Sequence, residues 1–421
     1  MRRVSVNKAS PGMVPEDDVR DQKGRFLFKA GQTITEKHLR IFKIWGVTEI
    51  WIQDEQDSEK EISEDQDASI PEETQERAQK VVLQQFRENS LEDPFISELY
   101  RLCVERTAKS MNRGEKPFPG ENAPGRDKTA PRNSAPQASP KGITIQNLVS
   151  DRLKLATLPP IYYKTMEAVH DPSMSLADIA EIVSTDPTLS AKILQLVNSS
   201  FYSLLKQVDT LTRALALIGT NHLMTIVTGV SVMSNFKKTS STILSMNEFW
   251  EHSISCGIVA RMLASYIPGV VNSERYFVAG LLHDIGRLIL VQNAPRQMQS
   301  AFQIAESEDL PLYEAERQQL GFDHTEVGEY LAQKWNLTAA LKRMIRCHHE
   351  PEREQPEMDS EIIYVANFIV TALKTGTSGE DKLPLFRSQA WEDLSLSPGV
   401  LEAIVLQLNH QLKEIYELIY G

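Results

Sequence analysis

The 421-residue chain is 41% hydrophobic and 24% charged, which excludes wholesale disorder or a fibrous repeat and leaves room for two or three domains. Its net charge of −12 is largely local, because eight acids and one lysine in residues 54–69 account for −7, and no basic stripe with interleaved aromatics suggests a nucleic-acid partner. Three cysteines without a CxxC (Cys103, Cys256, Cys347) exclude a disulfide scaffold and a thiolate zinc site, and make a reducing cytoplasmic compartment the expectation.

Residues 1–53 read as a small α+β module. VSV and MVPEDDV have strand composition, Asp21 to Gly24 supplies a turn before RFLF, and VTEIWI is a closing strand. Between them Thr35 caps the helix EKHLRIFKIW, which stops at Gly46. Lys37 stands where a capping-box acid is expected, so the cap reads as partial. His38 lies among charged neighbours and reads as a solvated surface side chain. The start, MRRVSVNKASPGM, is basic but has no apolar run behind it, so no signal peptide is expected.

Residues 54–112 read as an acidic linker and a helical connector. Val81, Val82, Leu83 and Phe86, then Phe95, Ile96, Leu99, Leu102 and Val104, mark the apolar faces of two helices, a pattern that suits a connector or a dimerising segment equally. Residues 113–142 hold six prolines and one large apolar side chain, Phe118. They bury too little surface to offset their ordering entropy, and a disordered linker is expected.

Residues 143–421 are helical by pattern. In the first half, 143–240, Ser175 with Asp178 starts LADIAEIV in the manner of a capping box, and Pro187 opens TLSAKILQLVN. LSAKILQLVNSS carries a single lysine, too little for a DNA-recognition helix. Asn198, Ser199 and Ser200 read as a helix end. Ala214 to Phe236 runs 23 residues without a formal charge, but polar residues interrupt it, and two buried helices broken at Gly219-Thr220 are expected instead of a membrane span.

The second half, 241–421, puts polar residues where a helical core places apolar ones. His252 lies in line with Phe249, Cys256, Val259 and Leu263; His283 and Asp284 end the run YFVAGLL. His324 follows Asp323, which with Glu326 makes a capping box, and shares a face with Val327, Leu331 and Trp335. His348 continues the stripe Leu341, Met344, Ile345, with His349 beside it, and Asn367 is the one strongly polar residue in IIYVANFIV. Buried polar groups need partners, so these seven residues suit either a divalent metal or a closed hydrogen-bond network among themselves.

FWEHS, GLLHDIGRL and HHE resemble the HD superfamily of metal-dependent phosphohydrolases. SLADIAEIVSTDPTLSAKILQLVNSSFY, TLTRALALIGTNHLMTIV and GFDHTEVGEYLAQKWNL make the likeness closest to its HDOD (HD-related output) branch, over about residues 143–375. The dipeptide His170-Asp171, before Pro172, is a decoy at a loop or helix end. PGM, DVRDQKGRFLFKAGQTIT and WGVTEIWI are similar to a small domain that often precedes HD-GYP or HDOD domains.

The resemblance implies a mainly α protein, an all-helical HD-like domain behind the α+β module. It implies that His252, His283 and Asp284 match the ligands of one metal, with Asn367 in place of the last Asp, and that His324, His348 and His349 match those of a second ion bridged by Asp284. Iron, manganese or zinc, one or two ions, is the expected cofactor. The GYP string is replaced by PEREQPEMDS, and Arg287 stands in place of the Lys after HDIG. A non-catalytic bacterial regulatory protein is therefore expected, partnered by other signalling proteins, with a homodimer compatible and neither membrane nor nucleic acid involved. If the domain is active, it is a phosphohydrolase, HD-GYP-like on cyclic dinucleotides, with Asp284 and Arg287 as catalytic candidates.

Overall fold

Most of the apolar periodicity resolves into α-helix, and the chain is mainly α as expected. A computed structural model describes residues 2–6, 9–20, 26–35, 38–39, 42, 47, 49–52, 70–114, 143–149, 158–199, 202, 207–236, 241, 243–270, 272–353, 355, 358–380 and 382–419. The acidic segment 54–69, the proline-rich residues 115–142, the turn expected at Asp21 to Gly24, Ser200 and much of the EKHLRIFKIW helix lie outside them. The chain divides into two compact units, residues 1–117 with 396–410 and residues 118–395 with 411–421.

In the first unit, four short strands, β1 (Arg2–Ser5), β2 (Val19–Arg20), β3 (Phe26–Phe28) and β4 (Glu49–Ile52), pair as two antiparallel ribbons, β1 with β4 and β2 with β3. Val4, Val19, Phe28, Ile34, Phe42 and Ile50 fill the core between them. The strand expected over MVPEDDV is cut down to its last residue and the next, because Pro15, with no N–H to donate, makes only an isolated bridge to Ile52. His38 is not a free surface side chain. Its N–H donates to Thr35 Oγ1 at 3.4 Å, its Nδ1 accepts from the Thr35 N–H at 3.2 Å, and its ring lies 4.3 Å from that of Phe28. The reciprocal cap is therefore closed by His38, three residues after Thr35, and not left partial at Lys37.

Two helices, α1 (Glu72–Gln85) and α2 (Pro94–Asn112), pack on each other. Asp93 caps α2 by accepting from the Phe95 and Ile96 N–H groups, and Pro94 takes the first helical position, where no N–H is needed. The inner face of α1 is Ala78, Val82 and Phe86. Leu83, expected on it, is 51% exposed, and Val81 is only half-buried. Phe86 meets Tyr100 edge-on at 5.7 Å.

The second unit is built from α3 (Ile145–Leu148), α4 (Pro160–His170), α5 (Leu176–Ser184), α6 (Pro187–Val197), α7 (Leu211–Phe236), α8 (Met246–Tyr266), α9 (Glu274–Leu282), α10 (Ile285–Asn293), α11 (Pro295–Glu308), α12 (Leu312–Leu320), α13 (His324–Lys334), α14 (Ala339–Cys347), α15 (Met358–Ala372) and α16 (Ser388–Asp393), while α17 (Val400–Ile419) closes the chain. The capping box of Ser175 and Asp178 is present in both directions, and Pro187 opens α6 behind the cap Asp186. Asn198 ends α6 and bridges to Val208 through both its amide atoms, each at 2.7 Å. His170 closes α4, as expected of the decoy dipeptide.

Along α7 the helix breaks at Gly219, whose φ of 80° and ψ of 168° are open essentially to glycine alone. By length and composition α7 is apolar enough to cross a membrane, but 56% of its most apolar window is buried inside the protein. In the centre of the unit α8, α9 and α15 pack together, α10 lies on α13, and α13 on α14. That arrangement converges the polar residues of the second half.

Candidate metal centre

Helix ends deliver most of these side chains. His283 closes α9 and Asp284 stands at the N-cap of α10, so the His-Asp pair is the joint between two helices. His324 opens α13 behind Asp323, whose carboxylate accepts from the Thr325 and Glu326 N–H groups; Glu326, the expected return arm of that cap, lies 3.6 Å from Arg346. His348 closes α14, with His349 next to it. His252 and Asn367 sit mid-helix, Asn367 on α15 and His252 on the buried stripe of α8 with Phe249, Cys256, Val259 and Leu263. A close backbone approach brings α10 and α13 together. A Cβ placed on Gly286 would stand 2.0 Å from the His324 carbonyl oxygen and 2.6 Å from the Gly328 nitrogen.

Asp284 is shared by two groups of histidines. Its Oδ2 lies 3.0 Å from His283 Nε2 and 3.9 Å from His252 Nε2. Its Oδ1 lies 2.9 Å from His324 Nε2 and 3.5 Å from His348 Nε2, and His349 Nε2 is 3.2 Å from His324 Nε2. Within each group, one donor atom per residue falls inside 4.8 Å of every other. All are buried except His349, which is half-buried. Asn367, on α15, is half-buried and adjoins the His252 side, where its amide favours the charged imidazole.

The two candidate roles of the cluster, ligand set or closed network, differ in what their buried atoms do. His283 Nδ1 is 2.7 Å from the Gly280 carbonyl, His348 Nδ1 is 2.8 Å from the Ile345 carbonyl, and His324 Nδ1 is 2.6 Å from Glu316 Oε2. Each acceptor holds the ring proton on Nδ1, which turns the Nε2 lone pair inward. With the rings neutral, lone pairs then face carboxylate oxygens with no proton between them. Both nitrogens of His252, His283 Nε2 and Asp284 Oδ1 have no hydrogen-bond partner although buried. A closed network would satisfy these atoms; a cation would meet one nitrogen of each ring that faces it together with a carboxylate oxygen, so the residues present fit a divalent metal.

The charge states differ along the metal-free cluster. Burial holds the His252 imidazole down at about 3 and that of His348 at about 4, and pushes His349 well below the usual range. Burial opposes charge on His283 as well, yet contact with Asp284 overrides it and raises that imidazole well above its ordinary value. His324 is raised too, with Glu316 and Asp284 outweighing burial and the charge of Arg287. For Asp284 the surrounding cations, Arg287 first, prevail over burial and hold the carboxyl well below the carboxylate range. In the absence of metal the cluster thus draws positive charge to both oxygens of Asp284.

A second layer, of which the sequence motifs show only Arg287, supports this core. The buried Arg287 donates to Glu316 Oε1 at 3.0 Å and to Ser378 Oγ at 2.8 Å, approaches Asp284 Oδ2 at 3.3 Å, and places an N–H nitrogen 2.9 Å from His324 Nδ1. Glu316 is fully buried on α12, on a face shared with Leu312, Ala315 and Gln319; that spacing was its one available signal, hidden among the neighbouring charges Glu314 and Arg317. Burial pushes the Glu380 carboxyl up to about 7, and it accepts from the Leu312 N–H at 2.8 Å. On the outer side Tyr313 stacks on His349 at 4.4 Å, and Arg317 lies over the Tyr313 ring while bridging Glu350 and Asp323.

Residues 155–351 match the family model of the HDOD domain. The chain carries an HDOD domain. The fold agrees: a solved HDOD domain protein of unknown function from Geobacter sulfurreducens superposes with a TM-score of 0.50 at 23% identity, over 64% of this chain and 97% of that one. A protein of Shewanella amazonensis SB2B, described as a candidate phosphohydrolase, superposes with a TM-score of 0.51 at 23% identity, over 65% and 97%. A curated relative, an uncharacterized protein of Treponema pallidum (strain Nichols), is 24% identical over 264 residues, covering 61% of this chain. The chain spans about half the length of that relative. The HDOD match ends before Asn367, Ser378 and Glu380, so the last part of the site lies beyond the matched residues.

Proposed function

We propose that the protein is a cytoplasmic signal-transduction component whose HDOD domain binds a divalent metal as a structural centre and acts by contacting other proteins, without turning over a substrate. One observation carries this reading. Arg287, which touches the cluster, and Arg317 and Arg353 beside it are already neutralised from within: Arg287 by Glu316, Arg317 by Glu350 and Asp323, and Arg353 by Glu350. A phosphodiester entering the site needs cations that are free to meet it. These are held by carboxylates, and the stacked pair of His349 and Tyr313 covers the outer side. The α+β module serves as sensor or adaptor.

The second reading, a metal-dependent phosphohydrolase, is favoured by a single feature, the carboxylate of Asp284 shared between two histidine groups, which is the layout of a two-metal clamp. One assay separates the readings. The full chain, loaded with manganese, iron or zinc, is incubated with cyclic dinucleotides and with bis(p-nitrophenyl) phosphate beside an Asp284→Ala variant. The proposal expects both proteins to give the same background. Hydrolysis by the wild type that the variant lacks would establish the enzyme instead.

A further inference from the structure

Helices α11 and α12 form a hairpin with an apolar core of its own. Ala301, Ile304, Leu312 and Ala315 make that core, and Phe302, Ala305 and Leu310 pack against it. Local sequence shapes the hairpin: Pro295 opens α11, Asp309 turns the chain at φ 57°, and Pro311 precedes α12. Gly321, at φ 86° with open space around it, ends α12. At the joint with α10 the buried Ala294 and Met298 anchor the near end.

Toward the histidine cluster α12 turns a different face. Its remaining buried residues are polar, Glu316 and Gln319. Glu316 accepts from Arg287 on α10 at 3.0 Å and from the His324 backbone N–H at 2.9 Å. Arg317 donates to Asp323 at 2.6 Å and to Glu350, which are the chain neighbours of His324 and His349. Tyr313 lies flat on His349, 4.4 Å away with 16° between the rings. At the other end the Leu312 N–H donates to Glu380, and Lys382 donates to the Asp309 carbonyl oxygen at 2.7 Å. Phe302 adds a close contact with Gly379, where a Cβ would stand 2.8 Å from its ring.

A seat made largely of hydrogen bonds and ion pairs opens more readily than an apolar seat of the same size. Polar groups regain water as they separate, so each tie contributes only a small part of its gross energy, whereas separating apolar surfaces recover nothing from water. The apolar core inside the hairpin travels with it and stays covered. Arg317 has the widest reach of these ties, because it joins α12 both to the start of α13 and to the end of α14.

From this we infer that the α11–α12 hairpin is a lid over the His324 and His349 side of the cluster, latched by Arg317, and that it swings about Ala294 and Gly321 to uncover those side chains. Closure is what lets Glu316 neutralise Arg287, so the open form presents a cation that the closed form hides. The inference does not rest on metal binding, and its test is run on the full, chelator-treated chain.

Modification of each histidine by diethyl pyrocarbonate is followed by mass spectrometry, in water and in urea below the unfolding transition. His283 and His324 are both 0% exposed, and a rigid unit would protect them alike. With a lid, His324 in the wild type reacts ahead of His283, and its rate depends little on urea because the opening exposes little surface. Arg317→Ala speeds the reaction of His324 and His349 about tenfold, the worth of a charge-assisted hydrogen bond, and leaves His252 and His283 unchanged. Arg317→Lys, which keeps the charge but not the two-pronged fork, falls between. Protection of His324 that is lost only on global unfolding, or an equal rise at all four histidines in Arg317→Ala, would overturn the inference. The wild-type comparison needs no variant, so it decides the matter even where a substituted chain folds poorly.

Discussion

Replacing Gly286 by alanine is the sharpest perturbation of the centre, because it alters no ligand side chain. A Cβ at this position would meet the His324 carbonyl oxygen at 2.0 Å and the Gly328 nitrogen at 2.6 Å, both backbone atoms that cannot rotate away. An ordinary Cβ contact starts near 3.4 Å, so α10 and α13 must separate by about 1.4 Å along that line. Overpacking of this kind costs up to about 3 kcal/mol, and the better helix propensity of alanine returns at most about 1. The net loss of about 2 kcal/mol lowers Tm by about 4–8 °C for a domain of this size. The same movement draws His324 away from Asp284, now 2.9 Å apart, so ion content should fall with it. Thermal melting by circular dichroism and metal analysis read the two effects. Gly269→Ala is the control: its φ is +86° with nothing within 4 Å of the added carbon, so it should lose about 1 kcal/mol through backbone strain and keep its ion. A Gly286→Ala protein that melts within a degree of the wild type and retains its metal would refute the claim that this contact sets the site.

Two further outcomes are expected. Glu380 is raised from the ordinary glutamate value of 4.5 to about 7, so between those values the folded chain binds the proton that the unfolded chain releases. Stability at this group therefore falls as pH rises from about 4.5 to about 7, by about 3 kcal/mol in all, and Glu380→Gln should flatten that fall in urea titrations; parallel curves for the two proteins would contradict it. Gly219→Ala places a side chain at φ 80°, ψ 168° and should cost about 1–3 kcal/mol without altering metal content, and a stabilised variant would mean that α7 is continuous in solution.

Sequence reading reached most of the helical framework because its signals are local. Ser175 and Asp178 lie three residues apart, Pro187 opens its own helix, and Gly219 breaks α7 where an uncharged run needed breaking. The seven cluster residues stood out because imidazoles and a carboxylate interrupted apolar stripes. What stayed hidden depends on partners distant in sequence. Glu316 looks like a surface acid in LYEAERQQL until Arg287 and His324 close over it, and Glu380 sits in a segment with no periodicity at all. Leu83 fails in the opposite sense: the run Val81, Val82, Leu83 gives no local reason to choose which side chain turns inward, and packing against α2 selects Val82. The charged neighbours of His38 point to solvent, yet its ring is half-buried and accepts from the backbone N–H of Thr35.

The ligands at the helix ends also bear on how the unit folds. His252 and Asn367 flank a stretch in which α9, α10, α13 and α14 must all be docked before the inward lone pairs meet. Contacts of such long sequence separation form late, after loop closure has been completed at every intervening turn. An ion captured there binds the native state and not the unfolded chain, and so shifts the folding equilibrium by RT ln(1 + [ion]/Kd), about 2.7 kcal/mol at a hundredfold excess over Kd. The abundance of folded protein would then follow the free metal concentration, and the centre would act as a gauge of metal supply even if it never touches a substrate.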